Sequence, residues 1–206
     1  YTESDIAILN SKIHLNPLPV LVSDPYETPE LYPLEEEKAC GLIWDTLNPD
    51  AYTLETFDSI DAAEIAGARV THTGACGHCS SLQSLAVYIY QGDLATPVKK
   101  CTLDSILKGD DYLMECLQKL GFDENCAKIW MYNGKNTKKE CMTTCLPLQN
   151  AVYHKSDGSL NDCIQCDEDK SGPVFQAVSG RTRRNSGLPT ALCRPCNTIS
   201  PIDHHY

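Results

Sequence analysis

The clearest periodicity in the chain is Leu82, Leu85, Ala86 and Ile89, an i, i+3, i+4, i+7 stripe that predicts an amphipathic helix. Ser80 and Gln83 form a capping box at its start, and Gln91-Gly92 closes it. A second stripe, Leu113, Leu117 and Leu120, is stopped by Gly121, after which Asp123 can cap a helix running to about Tyr132. Asn133-Gly134 predicts a turn, and Thr137 to Cys145 resumes a helical pattern halted by Pro147, so the region reads as a helical hairpin. After a loop containing Asp157-Gly158, Pro173 and Gly180 bracket a short helix.

Upstream the signals are weaker. Glu35, Glu36 and Glu37 ahead of Leu42, Ile43 and Trp44 suit a helix with acids in its first turn. Leu54 to about Ile65 suits a second helix ending at Gly67, and Arg69 to Thr73 a short strand. Residues 1–33 carry Pro17, Pro19, Pro25, Pro29 and Pro33, which favour extended backbone, together with apolar Ile6, Ile8, Leu9, Ile13, Leu15, Val20, Leu21 and Val22. That is more apolar surface than a solvated tail needs, so the arm is expected to lie against protein, its own domain or a neighbour.

These elements predict a mainly α, disulfide-rich fold with little β structure. An extended N-terminal arm, 1–33, precedes a compact, cysteine-rich, mainly helical domain, 34–206.

Charge changes the picture by excluding partners. With 28 acidic and 17 basic residues the net charge is −11, a field that repels nucleic-acid phosphate and anionic lipid. No apolar run is long enough to span a bilayer. Twelve cysteines in 206 residues are best explained by oxidised pairing in a secreted protein or an oxidising organelle lumen. A chain beginning at Tyr1 without an apolar signal segment fits a mature exported form.

Four candidate constellations follow. Cys76-Gly77-His78-Cys79, just ahead of a helix, resembles the active-site tetrapeptide of protein disulfide isomerases of the thioredoxin family. That resemblance implies a redox pair, Cys76 and Cys79. It covers four residues, with Ala75 where the family has Trp, and the favoured alternative is structural disulfides in a tight turn. The same stretch is similar to the nucleophile region of papain-like proteases and to the metal-binding Cys-Gly-His of one class of carbonic anhydrases. The first lacks a Gln before the cysteine and the second the following Arg.

Cys163-x-x-Cys166 and Cys193-x-x-Cys196 have zinc-ribbon character, though 26 residues separate them, more than the usual 15–20, and disulfides are the preferred expectation. Cys126 and Cys141 lie symmetrically about Asn133-Gly134, so a hairpin there would pair them. Arg181, Arg183 and Arg184 form the one compact basic cluster, read as a solvated loop or a carboxylate contact, and resemble a basic processing-protease site. Asp167, Glu168 and Asp169 read as solvated surface or at best a weak calcium contact, and His204 and His205 as able to bind metal but, in a terminal segment, more often free.

No nucleophile, base and acid assemble from these residues, and no cofactor is expected. The favoured function is a secreted, disulfide-stapled structural or recognition protein that meets a protein partner, or copies of itself, through the N-terminal arm. Its rivals are a lumenal thiol-disulfide oxidoreductase using Cys76 and Cys79 and a zinc-dependent enzyme.

Overall fold

The computed structural model describes residues 1–192, 199 and 201–206. Among them are seven α-helices: α1 (Glu3–Ser11), α2 (Ile60–Ile65), α3 (Leu82–Tyr90), α4 (Ala95–Lys119), α5 (Glu124–Cys145), α6 (Asp162–Lys170) and α7 (Gly172–Ser179). Four short strands, β1 (Ile13–His14), β2 (Ala39–Trp44), β3 (Ala51–Phe57) and β4 (Arg69–Thr73), form one sheet in the order β1-β3-β2-β4. The fold is mainly α and stapled by disulfides, as the helical stripes and the cysteine content predict.

The glutamates at 35–37 precede a strand and not a helix, and Gly41 shows why. A Cβ there would sit 2.6 Å from Phe57 Cε2 and 2.9 Å from Ala68 Cβ, so the glycine lets Phe57 and Ala68 pack directly over β2 where it lies between β3 and β4. The expected helix from Leu54 divides likewise: β3 runs to Phe57, and the Ser59 hydroxyl, accepting from Ala62 N–H at 3.1 Å, starts α2.

The arm is helical over its first residues. Thr2 and Asp5 make a reciprocal capping box for α1, which packs on α3 and buries Leu9. Backbone bonds Ile13 N to Asp50 O (2.8 Å) and Leu15 N to Tyr52 O (2.9 Å) then join β1 to the sheet edge. From Pro17 the chain is extended apart from 3-10 turns at Pro25–Glu27 and Pro29–Leu31.

α3 begins at Leu82, capped by Ser81 and not Ser80; the Ser81 hydroxyl accepts from Ser84 N–H at 3.0 Å. The chain reversal expected at Asn133-Gly134 is absent, because α5 runs unbroken from its Asp123 cap to Cys145. Gly134 serves packing instead. A Cβ there would lie 2.6 Å from Thr102 Oγ1, so the glycine lets α4 approach α5 closely.

The reversal lies in α4, at Gly109, whose φ of 84° belongs to the left-handed region that glycine adopts without strain. Cys101 and Cys116 would be about 22 Å apart on a straight helix; folded back at Gly109 they are bridged with Cα atoms 5.7 Å apart.

Cys126 and Cys141, on one continuous helix, cannot meet. Cys126 bonds to Cys79, and Cys141 to Cys166, one of two bridges, with Cys145–Cys163, that lock α5 to α6. The core these staples enclose draws Leu42 and Tyr52 from the sheet, Leu85 from α3, Leu117 from α4, Ile129 from α5 and Phe175 from α7.

Candidate functional site

The two motifs that the sequence set a hundred residues apart are neighbours. Backbone bonds from His78 N to Val178 O (3.0 Å) and Cys79 N to Ser179 O (2.8 Å) lay the Cys76–Cys79 turn along the end of α7. Gly77 and Gly180 touch main chain to main chain, since a Cβ on Gly180 would fall 2.4 Å from Gly77 N.

The redox reading of the turn does not survive. Cys76 is bonded to Cys40 and Cys79 to Cys126, so the two sulfurs belong to different bridges and form no couple with each other. The same bonds occupy the sulfur that a papain-like nucleophile or a Cys-Gly-His metal ligand requires. A zinc ribbon is corrected too, because Cys163 and Cys166 are bonded to Cys145 and Cys141, while Cys193 and Cys196 lie outside the described residues. Among the described residues no cluster of three or more His, Cys, Asp or Glu could hold a metal ion.

Ser80, freed from capping, accepts from Gly77 N–H at 2.8 Å and meets His72 Nε2 at 2.7 Å. The other ring nitrogen, Nδ1, lies 2.9 Å from the carbonyl oxygen of Thr73, which can only accept. Nδ1 therefore carries the proton, and Ser80 donates to Nε2. Burial and the Arg181 charge hold the His72 pKa well below its ordinary value. This serine-histidine contact is wholly buried.

Arg181 is likewise no solvated loop residue. It is fully buried, and its five N–H donors reach Cys79 O, Ser80 O, Thr71 O, Thr71 Oγ1 and Ser186 Oγ. Burial lowers its pKa to about 10, which leaves the guanidinium charged at neutral pH among uncharged acceptors. Arg183 is half-buried and donates to Pro189 O, Tyr88 O and Gln91 O, and Arg184 opens a 3-10 turn, so the segment does not offer an extended chain to a protease.

His204 departs from a plain tail residue as well. Its Nε2 donates to Ser186 O at 2.7 Å, and burial pushes its pKa down to about 4. Between an ordinary 6.5 and about 4 the unfolded chain binds a proton that the folded one refuses, so stability is whole above pH 6.5 and falls as pH drops toward 4. At ~1.4 kcal/mol per pH unit the loss is on the order of 3 kcal/mol. Denaturant titrations at neutral and acid pH are expected to show a smaller acid loss for His204→Gln than for the parent. An equal loss in both proteins refutes the assignment.

The remaining candidate is a partly open cavity of about 420 Å³ lined largely by α4, α5, α6 and α7. Its walls are mainly apolar: Leu94, Val98, Leu103, Trp130, Met142, Ile164 and Phe175 line it, with Trp130 packed on Phe175 at a ring separation of 4.5 Å. Cys145 and Cys163, bonded to each other across α5 and α6, form part of its wall.

The polar side of the wall is anchored by the arm. The Tyr26 hydroxyl lies 3.2 Å from Asn133 Oδ1 and 3.1 Å from Ser171 O. Asn136 Nδ2 donates to Lys170 O and Ser171 Oγ, both at 3.1 Å. Asp167, read from sequence as solvated, is half-buried at this wall, where the Thr137 hydroxyl donates to its Oδ1. Burial raises its pKa above the ordinary carboxylate value. No short motif pointed to this cavity, because its lining is collected from helices whose packing the sequence pattern does not reveal.

The fold and site define a mainly α, disulfide-stapled protein built around an apolar pocket. The model of DUF8771, a family of unknown function, matches residues 110–202, the stretch that holds α5, α6, α7 and Arg181. No curated protein and no solved structure matches the chain.

Proposed function

We propose that this is a secreted or organelle-lumen recognition protein, not an enzyme, that holds an elongated apolar small molecule between α4 and α7. The observation that carries the reading is the mainly apolar cavity of about 420 Å³, within the ~300–1,000 Å³ of small-molecule sites. The disulfides support the compartment, since bridges of this number persist in oxidising surroundings, and no helix among the described residues is long and apolar enough to cross a membrane.

Trp130 in the wall provides the test, because the chain has two tryptophans and the other, Trp44, lies in β2. Titration with decanol is expected to change tryptophan emission saturably at about one molecule per chain, and Trp130→Phe to abolish the change. No saturable response in the parent refutes the reading.

A second reading, capture of a protein partner or self-assembly through the N-terminal arm, is favoured by the exposure of Ile13, Leu15, Leu18, Val20 and Val22.

A further inference from the structure

The cavity wall is not uniformly apolar, and its charged groups differ in how they are satisfied. Asp93 accepts from Ala95 N–H (2.9 Å), Thr96 N–H (3.3 Å), the Thr96 hydroxyl (2.6 Å) and the Tyr153 hydroxyl (2.8 Å). Lys99 Nζ donates to Gln149 O at 2.6 Å, and Arg183 is held by three carbonyls. Asp167 is different. Its carboxylate accepts only from neutral hydroxyls, those of Thr137 and Ser171, and no ion pair joins it to a lysine or arginine among the described residues.

A carboxylate taken out of water without a countercharge is costly, and a cation brought to it inside an apolar cavity removes that cost. We infer that the ligand of this cavity is an amphipathic amine, its apolar body along Trp130 and Phe175 and its protonated nitrogen on the Asp167 carboxylate. The inference rests on the proposed apolar-binding role and adds the chemical class of the ligand. Lys138 also lines the wall, which makes a fatty acid the rival occupant.

The experiment compares decylamine, decanol and decanoate, three probes with one chain and three headgroups, by calorimetry at physiological ionic strength, where the general attraction of cations to an acidic surface is screened. Decylamine is expected to bind roughly tenfold or more tighter than decanol, the advantage of a buried charge-assisted hydrogen bond over a neutral one. Asp167→Asn, which keeps the shape of the side chain, is expected to bring the two within about twofold while decanol binding persists.

Equal binding of decylamine and decanol to the parent, or a preference for decanoate, overturns the inference and leaves the apolar-binding reading standing. Survival of the amine preference in Asp167→Asn overturns it as well. Binding of none of the three overturns both. The comparison on the parent protein needs no substitution, so it decides the matter even where the variant does not fold.

Discussion

Replacing Arg181 by methionine is expected to destabilise the protein by about 3–5 kcal/mol, because buried acceptors that it satisfies are left without donors. Swapping a buried ion pair for apolar side chains is often neutral, because both charges leave together. Here that escape is closed. Three of the acceptors are the backbone carbonyls of Thr71, Cys79 and Ser80, which stay in place and lose their donors, at ~1–3 kcal/mol each.

Lysine is expected to rescue little, since an ammonium carries three donors against the five that this guanidinium uses. The side chain ties β4, the Cys76–Cys79 turn and the Arg184–Ser186 turn to one point, so the loss should appear in global unfolding. Equilibrium denaturation measures it, and a methionine variant within about 1 kcal/mol of the parent contradicts the role.

Removing the Cys79–Cys126 bridge by a double alanine substitution is expected to cost about 4 kcal/mol on the chain-entropy account of its 47-residue separation. Removing Cys101–Cys116, with a separation of 15, is expected to cost about 3 kcal/mol. The larger loss has a second source, for Cys79 and Cys126 are both fully buried and removing their sulfurs leaves a void in the core. Thermal and denaturant unfolding of the two variants tests the ranking. If the hairpin bridge proves the costlier loss, neither loop length nor burial governs these staples.

The two glycine signals show how far sequence reasoning reached. Cysteines placed symmetrically about a glycine reversal do pair in this protein, but the glycine is Gly109 and the cysteines are Cys101 and Cys116. Asn133-Gly134 is the stronger turn dipeptide by local rules. It is overridden because Gly134 faces Thr102, and a close approach of α4 to α5 keeps α5 helical through it. Glu35–Glu37 misled similarly, since a strand between two others is stabilised by partners distant in the chain.

What the sequence determined by itself is what depends on groups a few residues apart. The α3 stripe, the Asp123 cap of α5, the β4 segment and the Pro173 to Gly180 bracket of α7 all appear in the fold. The cysteine content likewise announced an oxidised, stapled chain. Tertiary structure alone decided which cysteines bond, that Arg181 turns inward, and that Asp167 faces an apolar cavity. Helix periods and caps are made by hydrogen bonds within about four residues. A bridge, a buried guanidinium and a cavity wall are each set by contacts between residues 15 to 110 positions apart, which only the packed chain brings together.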